Sequence, residues 1–290
     1  MRMIPIQPVS DESTLEFARV RHAWERAGKQ GSDVWQRSLI NRVGEWLVER
    51  LLELRMQPAM VLDLGCRSGI LRERLKQSEK NIPRVVSASF AESCAITLRG
   101  HQGPFTLFKK RPAVTCLNPL ALPFATHTFD AILSNMALHW IGDRKGALRE
   151  IRRVLKPEGV FLFTMSGAET LMELRDCLAT VDQQRWQRTW PRIPQFPTLH
   201  QLGDELFELG FRLPVVDREV IHPTFADTRS LIRHLRTLGG CNPHSDQKNT
   251  LTGRQFFTEV QTLYQSRHAP TQKPLPVTVE ILFGHGWRSA

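Results

Sequence analysis

Between Ala59 and Gly69 the chain reads Ala-Met-Val-Leu-Asp-Leu-Gly-Cys-Arg-Ser-Gly, and the residues best suited to holding a small ligand are concentrated there. Met60–Leu64 is an apolar run with a single carboxylate, Asp63, near its end, which is the pattern of a short buried strand. Gly65 and Gly69 frame a tight turn, and Ile70–Gln77 resumes at helical spacing. A strand, a glycine turn and a helix in that order form the first unit of a nucleotide-binding α/β fold. Gly65 lets the chain turn where a side chain would clash, and the amino end of the helix faces whatever lies over the turn. The spacing is G-x-x-x-G, so the G-x-G-x-x-G fingerprint of pyrophosphate-binding dinucleotide folds is absent.

The surrounding pattern supplies the elements that must position this turn. Residues 1–13 read as a loose tail, and residues 15–27 and 34–54 as two helices. In the second helix Trp35, Leu39, Val43, Trp46, Leu47 and Leu51 recur at three- and four-residue steps. After the turn, strands are expected at 84–88, 113–117, 128–135 and 160–165, with helices at 91–99 and 143–154. The last of these helices is stopped by Lys156-Pro157-Glu158-Gly159. Strands alternating with helices imply an α/β fold, a doubly wound, mostly parallel Rossmann-like sheet. From Ala168 the pattern changes to helices at 169–181, 202–209, 228–238 and 251–266, a loop at 183–200, and strands at 215–221 and 276–284. The expected division is therefore 1–54, a tail and cover helices; 55–167, the Rossmann-like core; and 168–290, an α+β elaboration whose last strand returns to the sheet.

Composition narrows the function classes. The 290 residues carry a net charge of +10, and 41% are hydrophobic, as in an ordinary globular protein. From Cys66 to Thr115, ten basic residues (Arg67, Arg72, Arg74, Lys76, Lys80, Arg84, Arg99, Lys109, Lys110, Arg111) face only three acidic ones (Glu73, Glu79, Glu92). Such a face is either a solvated helical surface or a contact for an acidic partner. Five scattered cysteines without a C-x-x-C pair argue against a disulfide framework and a zinc site, and no metal is expected. Neither a signal peptide nor an apolar run of the ~18 residues a membrane span needs is present, so the expected location is the cytoplasm.

Three further blocks carry a resemblance. They are Leu122-Pro123-Phe124 running to Phe129-Asp130; Ser134-Asn135-Met136-Ala137-Leu138-His139-Trp140; and Arg153-Val154-Leu155-Lys156-Pro157-Glu158-Gly159. Together with Asp-Leu-Gly-Cys-x-x-Gly, the first motif of class I S-adenosylmethionine-dependent methyltransferases, they resemble the BioC-type malonyl-acyl-carrier-protein O-methyltransferases of biotin synthesis. The likeness extends from about residue 17 to Trp287, through Thr278-Val279-Glu280-Ile281-Leu282-Phe283-Gly284. It implies S-adenosylmethionine as cofactor and an acidic acyl carrier protein as partner, with no nucleic acid or membrane. It implies cofactor contacts at Asp63, Gly65, Gly69, Ser89, Asn118 and Ser134, with His139 and Trp140 lining the pocket. It implies an arginine for the acceptor, with Arg175, Arg218, Arg236 and Arg254 as candidates. The pattern is departed from in places. Arg67 stands where a small residue is usual, Ser89 where a carboxylate is usual, and Asn118 where Asp is usual. The only tyrosine is Tyr264, and Trp24 occupies the helix in which the family carries a Tyr. A neighbouring group linked to respiratory complex I assembly, to which arginine hydroxylation is attributed, shares the H-W and K-P-x-G-V-F patterns. A protein-modifying enzyme and a non-catalytic methyltransferase fold are therefore the alternatives.

Overall fold

The computed structural model describes residues 16–29, 39–80, 82–100, 113–246, 252–269 and 274–290. The expected tail, the start of the second helix at 34–38, and Lys109-Lys110-Arg111 lie outside the described residues. In chain order the strands are β1 (Met60–Leu64), β2 (Arg84–Ser89), β3 (Ala113–Cys116), β4 (Phe129–Asn135), β5 (Leu155–Ser166), β6 (Phe211–Ile221), β7 (Thr224–Phe225), β8 (Leu275–Pro276) and β9 (Val279–Arg288). Seven of them form one sheet in the order β3-β2-β1-β4-β5-β9-β6, and β7 pairs with β8. β1 to β5 are mutually parallel. β9 then runs antiparallel between β5 and β6, pairing Val160 with Trp287 and Ser166 with Ile281.

The helices are α1 (Phe17–Gly28), α2 (Leu39–Glu53), α3 (Ile70–Gln77), α4 (Glu92–Gly100), α5 (Arg144–Val154), α6 (Met172–Trp186), α7 (Leu199–Glu208), α8 (Thr228–Thr237) and α9 (Gly253–His268). The central strands are buried on both faces, which is why they read as continuous apolar runs. On one face Val61, Val85, Ala131, Leu133, Val160 and Leu162 pack against Leu47 and Leu51 of α2 and Leu71 and Leu75 of α3. On the other, Leu62, Ile132, Phe161 and Phe163 pack against Leu148 and Ile151 of α5 and Leu202 and Leu206 of α7. A separate cluster away from the sheet joins Leu174, Cys177 and Val181 of α6, Leu231 of α8 and Phe256, Val260 and Tyr264 of α9. Tyr264 is fully buried in that cluster and donates to the Pro276 carbonyl at 2.6 Å.

Some boundaries differ from the sequence reading. β5 begins at Leu155, because the Lys-Pro-Glu-Gly segment pairs across a register shift opposite Phe129 to Ala131, with Glu158 at φ 58°. α6 continues to Trp186 into the expected loop, since Trp186 stacks on Phe256 at 5.6 Å and gains from burial there. Among the described residues the expected basic face is interrupted. Arg67 is buried, Lys80 spends its ammonium on the carbonyls of Leu51, Leu54 and Met56, and Arg74 pairs with Glu45.

Candidate functional site

At the carboxyl end of β1 the chain turns at Gly65 (φ 80°) and Gly69 (φ 81°), and α3 starts immediately after. A Cβ on Gly65 would lie 2.3 Å from that of Ala137, so the turn and the segment after β4 approach as closely as glycine permits. Beneath the turn Asp63 is 2% exposed, and its Oδ2 has no hydrogen-bond partner. Burial pushes its carboxyl up to about 7, against the Cys66 thiol hydrogen bond and Arg72, which pull it down. The void beside it is lined by Ile40, Asp63, Gly65 to Leu71 and Asn135, and its volume is about 10 Å³. That is room for one water at most.

Ser134 and Asn135 are neighbours on β4, and alternation sends them to opposite faces. Asn135 lines the Asp63 void, donating from Nδ2 to Ile40 O at 2.8 Å and accepting from Thr164 Oγ1 at 2.8 Å. Ser134 is fully buried with an unpartnered Oγ. Asn135 is therefore a site residue that the sequence reading passed over. The S-N pair was visible, but which member faces the turn is a matter of strand register.

Arg67 dominates the space over the turn. It is 7% exposed, donates from Nη2 to Met136 O at 2.8 Å and from Nη1 to Leu238 O at 3.0 Å, and lies 4.4 Å from the Trp24 ring centroid. Burial pushes its pKa down to about 10, with the Cys94 and Cys66 thiols acting the other way, so it is cationic at neutral pH. Trp24 stacks on Phe90 at 5.3 Å and 18°. Ser89, just before Phe90, is fully buried, and its Oγ accepts from Ala91 N at 3.2 Å at the start of α4. Asn118 is exposed, and its Oδ1 accepts from Leu120 N at 3.0 Å within its own turn. Asp63, Gly65 and Gly69 thus share one void, whereas Ser89 and Asn118 are each engaged by their own local backbone.

His139 and Trp140 lie on a 3₁₀ turn after β4, with rings 5.0 Å apart. His139 is buried, with Phe196 edge-on at 5.5 Å and Ser166 N donating to Nδ1 at 3.4 Å. Burial first, then Arg67 and Arg144, push its pKa down to about 3, so the ring is neutral at working pH. Trp140 is half-buried against the sheet core. Of the four candidate arginines, Arg236 and Arg254 are exposed, and Arg218 is exposed and paired with Glu169 and Glu280 at 3.1 and 3.5 Å. Arg175 alone is directed inward. It is half-buried and donates to the carbonyls of Ala168 (3.1 Å), Thr170 (3.1 Å) and Pro194 (3.3 Å), on the same two segments that hold His139 through Ser166 and Phe196. Burial lowers its pKa, and among the described residues no carboxylate pairs with it.

A parallel sheet with an antiparallel strand next to its edge, a glycine turn after β1 and the cleft above define a Rossmann-like, S-adenosylmethionine-dependent methyltransferase, and residues 62–163 match the family model described as a methyltransferase domain. A methyltransferase structure from Bacillus halodurans superposes with a TM-score of 0.59 at 14% identity, covering 85% of this chain and 99% of the other, a likeness of fold. The malonyl-acyl-carrier-protein O-methyltransferase of Methylovorus sp. (strain MP688) is 34% identical over 286 residues, 96% of this chain and 91% of its own. The mitochondrial arginine-hydroxylase NDUFAF5 of Danio rerio is 28% identical, over 92% of this chain and 83% of its own. The chain belongs to the malonyl-acyl-carrier-protein O-methyltransferase family.

The donor set fits the amino-acid end of an S-adenosyl group. An orphaned buried carboxylate behind a glycine turn suits an ammonium, whose charge would restore Asp63 to its ionised form. Arg67 lines that same void of about 10 Å³, and its guanidinium lies on the Trp24 ring.

Proposed function

We propose that this chain methylates the free carboxyl of a malonyl thioester carried on acyl carrier protein, as the likeness to the biotin-synthesis group implies. What supports the acceptor is the match along 96% of the chain to relatives named for that reaction. Asp63, Gly65 and Gly69 would hold the amino-acid end of the cofactor, and Ser134, Ser89 and Asn118 are proposed at its remaining edges. S-adenosylmethionine supplies a methyl group on a sulfonium.

The residues of the chain then have little proton work to do. A malonyl carboxylate is ionised at neutral pH and is itself the nucleophile. A histidine with a pKa near 3 is a poor general base at pH 7, so His139 serves as an apolar wall with Trp140 and Phe196 that excludes water. Arg175, cationic and without a carboxylate partner among the described residues, orients the acceptor carboxylate. Alignment and water exclusion account for the catalysis.

Incubation of the purified protein with malonyl carrier and S-adenosylmethionine tests this. The carrier should gain one methylene (~14 Da), and fragmentation should place it on the malonyl group, as the ester of its free carboxyl. An unchanged carrier, with cofactor binding demonstrated, would sink the malonyl acceptor. A second reading, a fold kept for binding without catalysis, draws support from the Arg67-filled cleft, and in that case no S-adenosyl ligand binds at all. For the hydroxylase alternative, the grouping of three possible metal ligands among the described residues is Asp176, Cys177 and His268, and Arg267 already holds Asp176 Oδ2 at 2.6 Å. That set is not the 2-His-1-carboxylate arrangement of non-haem iron oxygenases.

A further inference from the structure

We propose that Arg67 is a latch: in the ligand-free protein its guanidinium closes the cofactor cleft, and S-adenosyl ligands bind only after it has been expelled. The proposal rests on the methyltransferase reading of that cleft and adds to it a closed state and the residue that maintains it.

Three elements distant in sequence meet on one side chain. Nη2 takes the carbonyl of Met136 after β4, Nη1 takes that of Leu238 after α8, and the guanidinium lies on the face of Trp24 from α1. Each partner is itself fixed. Met136 is held in the left-handed region (φ 49°), and its N–H donates to Thr164 O and Oγ1 at 2.9 and 3.1 Å, so its carbonyl direction is set from behind. Leu238 precedes Gly239 (φ 79°), where an added Cβ would come within 3.0 Å of Trp24 Cδ1. Trp24 is backed by Phe90. The arginine therefore docks into a preformed seat, which is why a long side chain that could have pointed to water is 7% exposed.

With Arg67 seated, the void it lines together with Asp63, the glycine turn and Asn135 is about 10 Å³, whereas cofactor-sized ligands require several hundred, on the order of 300–1,000 Å³. Charge acts in the same direction, because a buried guanidinium and a sulfonium are both cations and repel strongly where water is excluded. Apparent affinity is then the intrinsic affinity multiplied by the fraction of molecules with the latch open. Since the latch ties α1 to the end of α8, releasing it also frees the elements that flank the entrance to the cleft.

Calorimetry with S-adenosylhomocysteine on the full chain, comparing wild type, Arg67→Gly and Arg67→Lys, provides the test. Ligand-free thermal unfolding of each protein is a readout independent of activity. Removing the latch should tighten binding by about tenfold or more and lower the ligand-free unfolding temperature. Lysine keeps a charge but not the two-carbonyl fork, and it should fall between the other two; it also serves if the glycine variant fails to fold. Binding that is equal or weaker in the variants overturns the latch while leaving the methyltransferase reading intact, and weaker binding would make Arg67 a ligand contact. No binding by any of the three removes the cofactor reading and the latch with it.

Discussion

Two arginines in this molecule use the same bonding at different places in the fold. Arg67, over the glycine turn, and Arg175, at the first turn of α6, both donate to backbone carbonyls. Two other enclosed arginines carry their own counter-charge. Arg144 holds Glu205 at 2.6 Å with side chains 5% and 13% exposed, and Arg192 holds the fully buried Asp182 at 2.7 Å. A guanidinium neutralised by a carboxylate is architecture. A carbonyl, unlike a carboxylate, leaves the net charge of the guanidinium bonded to it in place. On the reading proposed above, the group entering beside Arg67 is a cation, which the charge obstructs, and the one entering beside Arg175 is an anionic acceptor, which it recruits. The sign of the ligand, not the burial, separates the roles.

The comparison breaks most visibly at Arg175. Arg175→Ala leaves the carbonyls of Ala168, Thr170 and Pro194 without their donor, a loss of roughly 3 kcal/mol in stability. Turnover of malonyl carrier should fall by about a hundredfold, the scale of one charge-assisted contact made to a reacting group. S-adenosylhomocysteine binding, read by calorimetry, should stay within about twofold of wild type. Arg175→Lys should recover part of the rate, since charge is kept while the planar fork is lost. Equal losses of cofactor and acceptor affinity would mean that Arg175 only braces the loop. With Arg67→Gly tightening cofactor binding, the two substitutions form a pair of opposite sign.

The surroundings of Arg67 can be probed without touching it, through two titrations that oppose each other. Asp63 rises from 3.8 in the unfolded chain to about 7 when folded. Between those values the folded state holds a proton that the unfolded state has released. This contribution to stability is full below about pH 4 and is lost as pH rises toward 7. His139 falls from 6.5 to about 3. Between those values the unfolded chain is the more protonated, so stability is lost as pH falls from about 6.5 toward 3. Each group contributes a slope of at most about 1.4 kcal/mol per pH unit, and from pH 4 to 6.5 the two nearly cancel. Relative to the wild type, the unfolding free energy in denaturant across that range should climb more steeply with pH for Asp63→Asn and less steeply for His139→Gln, on a background set by His234, His244 and His285, whose pKa values burial also lowers. His139→Gln should also reduce the methylation rate modestly without introducing a new pH dependence. A wild-type-like profile in either variant removes the shift assigned to that group.

What the sequence disclosed and what it concealed divide along the same line. The glycine turn, the five parallel strands and their helices are local signals, carried by apolar runs and breakers within a dozen residues. The fate of Arg67 is not local, because Leu238 lies 171 positions away and Trp24 belongs to the first helix. From composition the residue counted toward an exposed basic face, and only tertiary packing shows it enclosed. Ser89 and Asn118 fall at the ends of β2 and β3 where the pattern expects cofactor contacts, yet side-chain bonds to Ala91 N and Leu120 N turn them to their own backbones. Short polar side chains compete for nearby amides in this way, and no spacing rule reports which partner wins. Asn135 was concealed by register, and the extension of α6 to Trp186 by a stacking partner seventy residues further on.

The smallest expected effect concerns where the carrier docks. Arg229, Arg233 and Arg236 are exposed and recur at i, i+4 and i+7 on α8, whose opposite side buries Thr228 and Leu231. Among the described residues none of the three is in an ion pair, and the helix ends at Leu238, the carbonyl that Arg67 holds. An acidic carrier seated on this stripe would stand at the entrance to the cleft. Lys76 and Arg84 are also exposed, but they lie at the end of α3 and the start of β2, the amino ends of the strands and the far side from the cleft. Reversing the three α8 arginines to Glu should raise KM for malonyl carrier several-fold, with kcat and S-adenosylhomocysteine binding little changed. Exposed charges act over roughly 8–10 Å at physiological ionic strength, so the difference from wild type should shrink as salt rises. Reversing Lys76 and Arg84 makes two thirds of that charge change and should leave KM where it was. Equal effects from the two sets would mean that the carrier senses only the overall positive field. A loss confined to the α8 set places the anionic partner on the same side of the molecule as Arg175, where its malonyl carboxylate has a cation to meet.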